Sequence, residues 1–181
     1  MASTYGIIGL GYIVQTVFMV SFMVESGYSE AIAGRYVAMM GLLSIVAGPL
    51  WGWLSDYWGR GNALALSILL VALSMLLPLF RQTLPWFFLH FLMIGLSING
   101  LFALIQTSAT EQVAPRYIPV AFSFATLFFA IGQFLGPAIA GWLIETTGNF
   151  LAAFGFTFVV LVVGFALTLL IRRFPKEVAV G

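Results

Sequence analysis

The sequence predicts an all-α membrane protein of six transmembrane helices, and three observations carry that prediction. Hydrophobic residues make up 62% of the 181 residues and charged residues only 7%, against about 25% charged in a soluble domain. The apolar residues fall into six long runs separated by short polar connections. Within the runs they do not alternate with polar residues as the strands of a membrane barrel would. A chain with so little polar surface must be solvated by lipid.

The spans are expected at residues 5–24, 32–54, 62–80, 84–107, 118–144 and 150–171, each near the roughly 20 residues that cross a bilayer. The first follows a start without the basic region of a signal peptide, and carries Tyr12, Gln15 and Thr16 near its middle. The second opens near Arg35, which can snorkel outward or hold an anion. It contains Gly41, Gly48 and Gly52, the last two spaced for close helix contact, and Pro49, which withholds a backbone donor and bends the helix. The third follows a tight polar turn at 55–61. The fourth places Asn99 and Gln106 on one face, seven residues apart, with Gly95 and Ala103 beside them. His90, the single histidine, lies near its start; it either titrates near neutral pH or serves as a hydrogen-bonding residue. Glu111, Arg116, Pro115 and Pro119 form a connection that reads as structural. The fifth span is long enough to tilt. It carries Thr126 and Gln133, again seven apart, and Gly132, Gly136, Pro137 and Gly141. The sixth runs to a basic tail at 172–181.

Two segments match across an offset of 89 residues. Gly52-Trp53-Leu54-Ser55-Asp56-Tyr57-Trp58-Gly59-Arg60 aligns with Gly141-Trp142-Leu143-Ile144-Glu145-Thr146-Thr147-Gly148-Asn149. Each is preceded by Gly-Pro, at Gly48-Pro49 and Gly136-Pro137. Three spans separate the copies, so they fall on opposite sides of the membrane. The chain therefore reads as one bundle of two inverted three-helix units, about 1–82 and 83–181, an arrangement found in secondary transporters.

Arginine and lysine set the orientation. Arg60, Arg116, Arg172, Arg173 and Lys176 share one side with the N-terminus, whereas Arg81 and Arg35 share the other with Glu25, Glu30 and Glu145. Both termini are expected in the cytoplasm, with a bacterial inner membrane as the expected setting. Trp51, Trp53 and Trp58 then read as belt anchors at the inner interface, and Trp86 and Trp142 at the outer one.

In the turn at 55–61, Asp56 is expected just before the third helix, where the positive helix end favours a carboxylate. Gly59 supplies a conformation that side chains resist, and Arg60 can bridge to a neighbouring carboxylate or helix end. The cluster Gly52, Asp56, Gly59 and Arg60 reads either as a conformational latch or as a capped turn with a positive-inside arginine. Gly52-x-Leu54-Ser55-Asp56-x-x-Gly59-Arg60 resembles the loop motif of the major facilitator superfamily, which joins the second and third helices and recurs, weaker, between the eighth and ninth. The resemblance covers the whole chain and implies one six-helix half of a twelve-helix fold. Tyr57 and Gly61 stand where that motif usually has basic residues. With the Gly-Pro of the fifth span and the short basic tail, they make the chain similar to helices seven to twelve.

The resemblance also implies that the first and fourth helices line a cavity, with the second and fifth at its flanks. Tyr12, Gln15, Asn99 and Gln106 fit a solute pathway best, and Thr16, Arg35, His90, Thr126 and Gln133 complete the candidates. Interhelical hydrogen bonding, at about 0.6 kcal/mol each, is the plainer role for any of them. The glycines and prolines of the second and fifth spans suit helices that rock, or ordinary static packing. A small solute would move by alternating access, in partnership with the bilayer and a second six-helix half, either a copy of this chain or a separate N-terminal half. The alternative is a truncated or accessory membrane protein without transport of its own.

Every acidic residue lies at a helix end or in a loop, so no carboxylate is placed for a proton relay at the membrane centre. The neutral character of the candidates points to a neutral or amphipathic solute. There are no cysteines, and a lone histidine cannot make a metal site. No cofactor, nucleic-acid partner or enzymatic activity is expected.

Overall fold

A computed structural model describes residues 2–171 except Gln112. The basic tail carrying Arg172, Arg173 and Lys176 lies outside the described residues. Six helices follow in order: α1 Ala2–Glu25, α2 Glu30–Trp58, α3 Arg60–Phe80, α4 Leu84–Thr110, α5 Ile118–Thr147 and α6 Phe150–Ile171, with one 3-10 turn, Pro115–Tyr117, before α5. No strand occurs among the described residues. All six helices are long and apolar enough to cross a membrane; even the 21 residues of α3 extend about 32 Å at 1.5 Å per residue. The expected spans are all present, and this is a multi-pass membrane protein.

The helices make a row backed by a pair. α2 packs on α4 and α1 on α5, the two most extensive pairings. α1 and α4 meet between them through large side chains, Tyr12 against Phe102 and Phe22 against Phe87. Behind the row, α3 packs on α4 and α6, and α6 on α1 and α3. The core contains Ile8, Met19, Leu64, Ile68, Phe87, Phe91, Leu101 and Phe154. Several hydroxyls inside the bundle bond to their own helix: Ser67 donates to the Leu64 carbonyl, Ser74 to Val71 and Thr157 to Ala153, while those of Thr4 and Ser97 are buried without a partner. Lipid offers no partner for a polar group, and this local bonding supplies one.

The α1–α5 crossing depends on glycine. A Cβ on Gly132 would collide with the Gly6 carbonyl and stand 2.8 Å from the Leu10 nitrogen. One on Gly136 would stand 2.5 Å from the Leu10 carbonyl oxygen. The α2–α4 crossing uses glycine from the other partner: Gly95 lies against Met40 and Leu43, and Gly100 against the Trp51 ring. Gly132 and Gly136 thus lie at a close crossing, while Gly48 and Gly52 lie at none among the described residues. A Cβ on either would meet nothing within 4 Å, on a side of α2 that no other described helix covers. Gly141 has only the Phe18 ring edge, at 3.9 Å.

Trp51 also departs from expectation. It is buried, not an interfacial anchor, and its indole Nε1 donates to the Leu96 carbonyl at 2.7 Å. The space opposite, made by Gly100, draws the ring inward. Trp53, Trp58 and Trp142 are exposed.

Candidate functional site

The polar turn between α2 and α3 is a single residue. Gly59 sits at φ 90, ψ 142, a region open to glycine almost alone. Its N–H donates to the Ser55 carbonyl, and its own carbonyl accepts from Asn62 and Ala63. Because the connection is so short, Asp56 lies in the last turn of α2 and not before α3, which corrects the expected placement at a favourable helix end. Arg60 opens α3 and bonds in three directions: Nε to Glu111 Oε1 at 2.6 Å, one guanidinium nitrogen to Ser55 Oγ at 3.4 Å, and the other 3.9 Å from Asp56 Oδ1. Glu111 is the residue immediately after α4, so the ion pair ties the α2–α3 turn to the end of α4. Glu111 read as merely structural in the sequence; its pairing across 51 positions had no local signal. Asp56 is three-quarters exposed, so its carboxylate remains available on the open side of the turn.

The other candidates divide by position. On the open side of the row, Thr16, Asn99 and Ala103 are exposed, and Tyr12, Phe102, Gln106 and Phe129 half-buried. Asn99 Nδ2 donates to the Ser44 carbonyl of α2 at 3.0 Å, and Gln106 Nε2 to the Tyr5 hydroxyl of α1 at 3.2 Å. Thr16 bonds back to the Tyr12 carbonyl. Four rings join α1, α4 and α5: Tyr5 stacks on Phe129 at 4.6 Å, and Phe102 meets Tyr12 edge-on at 5.0 Å and Phe129 at 5.3 Å. Tyr5, Phe102 and Phe129 were not candidates from sequence; aromatic residues are so frequent here that none stood out.

Gln15 and His90 lie elsewhere. Gln15 is buried, with its amide nitrogen 3.7 Å from Met40 Sδ. His90 is fully buried between α4 and α3, its Nδ1 2.7 Å from the Ser74 carbonyl oxygen. Neither reaches the open side of the row in this conformation. Thr126 is exposed on α5 and bonded to the Phe122 carbonyl, Gln133 is half-buried, and Arg35 is exposed in the second turn of α2. No cluster of potential metal ligands occurs among the described residues.

A row of four helices with an uncovered, partly polar side, backed by a pair of helices, is a polytopic helical membrane bundle. The chain belongs to the major facilitator superfamily: the family described as "Uncharacterised MFS-type transporter YbfB" matches residues 1–169. Monocarboxylate transporter 12 of Xenopus laevis is 27% identical over 168 residues, covering 89% of this chain and 36% of that protein. Vacuolar basic amino acid transporter 1 of Saccharomyces cerevisiae is 31% identical over 126 residues, 69% of this chain and 22% of that one. The crystal structure of the POT family transporter PepTSo shares the fold, with a TM-score of 0.77 at 19% identity over 97% of this chain and 38% of its own. The chain thus spans about a third or less of the length of these relatives. The relatives are transporters, and solute transport in general is the activity of this family.

Proposed function

We propose that the chain is one six-helix half of a secondary transporter, equivalent to helices seven to twelve, that carries a small solute by alternating access against a second six-helix half. The observation that carries this reading is the open side of the α2–α4–α1–α5 row. α2 and α5 are the least covered helices apart from their crossings, exposing Leu42, Ile45, Val46 and Trp53 on one and Leu127, Ile131, Phe134 and Trp142 on the other. Between them Thr16, Asn99 and Ala103 are exposed near mid-span, where lipid is a poor solvent for an amide. A second half covers the apolar flanks and leaves the polar centre to water and solute.

An inverted repeat of two three-helix units is part of the same reading, and two features support it. Exchanging α1–α3 for α4–α6 carries the α1–α5 pairing onto α4–α2 and the α3–α4 pairing onto α6–α1. The 89-residue offset maps Gly59 onto Gly148, both at positive φ and both capping the second helix of their unit. Both termini face the cytoplasm in this account, as the basic residues require. The Arg60–Glu111 pair then holds the cytoplasmic end of this half together, while Asp56 is left to latch the other half in one of the two states.

The test is the mass of the chain reconstituted alone in nanodiscs. A particle holding twelve helices, about twice 19.7 kDa of protein, is expected. A folded six-helix monomer excludes a second copy of this chain as the partner, and the reading then fails unless a separate six-helix half joins the chain in a twelve-helix particle.

A further inference from the structure

The open side of the row carries a second message, about the chemistry of the solute. Among the described residues none of the charged side chains lies at mid-span; Arg35, in the second turn of α2, is the furthest in. What stands there instead is a set of half-exposed rings, Tyr12, Phe102 and Phe129, flanked by two amides. One of the amides is oriented by its partner. Asn99 faces a backbone carbonyl, which can only accept, so its nitrogen must be the end turned toward Ser44. Gln106 lies against the Tyr5 hydroxyl, which can accept or donate and so does not fix the amide's orientation. Asn99 therefore has its carbonyl oxygen left to accept.

Resting on the transporter reading above, we infer that this half recognises an uncharged, planar ring solute bearing N–H or O–H donors. Ring faces stack on planar solutes, and the Asn99 amide oxygen takes a donor. A carboxylate fits less well: it meets ring faces of negative potential, and among the described residues no cation lies beside it at this depth to offset desolvation. A cation gains from the rings but finds no carboxylate at this depth. Charge on the solute is thus disfavoured by what this half supplies.

The absence of cysteine from the sequence makes the test direct. Ala103→Cys is introduced into the full chain in membranes, and its labelling by N-ethylmaleimide is timed. Three ring-matched probes are added separately: benzamide, which is neutral with N–H donors; benzoate, its isosteric anion; and benzylammonium. Benzamide is expected to slow labelling about threefold at twice its dissociation constant, with neither ion doing so. Adding Tyr12→Leu and Phe102→Leu is expected to abolish that protection while the thiol still labels. Protection by benzoate or benzylammonium instead of benzamide, or by none of the three, overturns the inference and leaves the transporter reading standing. An Ala103→Cys thiol that does not label at all means the position is dry in the chain alone, and the transporter reading itself fails if a second six-helix half added to the membrane does not restore labelling.

Discussion

Gly136 and Gly48 offer a matched pair of substitutions. Each precedes a proline inside a long helix, so the intrinsic backbone effects of adding a methyl group are the same. Their surroundings are opposite. A Cβ on Gly136 would stand 2.5 Å from the Leu10 carbonyl oxygen and 2.6 Å from Ile13 Cγ2, whereas one on Gly48 would meet nothing within 4 Å. For Gly136→Ala, α1 and α5 must part by roughly 1 Å, and overpacking of this kind costs about 1–3 kcal/mol. The backbone effect of a methyl group before proline is common to both variants and cancels between them. Gly136→Ala is therefore expected to be about 1–3 kcal/mol less stable than Gly48→Ala. At about 2–4 °C per kcal/mol for a chain of this size, the melting temperatures should differ by several degrees. Circular dichroism melts of the purified chain in one mild detergent provide the assay. Melts that coincide within a degree would refute the close α1–α5 crossing as a source of stability.

Other substitutions separate buried contacts from surface features. Trp51→Phe leaves the Leu96 carbonyl without the indole donor and should cost about 0.5–1.5 kcal/mol, while Trp53→Phe, on the exposed side, should leave the melt unchanged; equal effects would contradict the inward placement of Trp51. Gly59→Asn forces a side chain onto φ 90, ψ 142 and should destabilise by about 1–3 kcal/mol. Gly148→Asn, at φ 63, ψ 23, sits in the left-handed region that asparagine tolerates and should have little effect on the same melts. A double-mutant cycle of Arg60→Gln and Glu111→Gln should give a coupling of only about 0.2–1 kcal/mol, since both side chains are more than a third exposed. A coupling of zero would remove the pair from the account.

Much of the fold was legible because lipid imposes a simple rule. Runs of about 20 apolar residues become helices whatever their neighbours, so all six spans could be placed within a few residues. The two matching turns were legible for a related reason: Gly59 and Gly148 both adopt positive φ, and a glycine needed for its backbone leaves a trace in sequence. Packing was less legible. Glycine is required where another helix crosses, and the crossing is a tertiary fact. Gly48 and Gly52 have the spacing of a contact and none among the described residues, while Gly9, Gly95 and Gly100 lack that pattern and face backbone or ring atoms. Trp51 followed the same logic, turning inward because Gly100 on another helix makes room. Among the site candidates, Asn99 and Gln106 share a face as their spacing predicts, but Gln15 and His90 turn into the bundle. Helical periodicity ranks residues around a helix without saying which side is covered.

Water access to mid-span from each side of the membrane separates a transport pathway from a lipid-facing surface. Ala103→Cys, on the open side of the row, is compared with Leu73→Cys on α3 and Val159→Cys on α6, which face outward from the backing pair. A membrane-impermeant maleimide is applied to vesicles of each orientation. The account predicts that Ala103→Cys labels from both sides, as a site with alternating access must, while the two controls stay unlabelled. Labelling from one side only, or no faster than the controls, would contradict it.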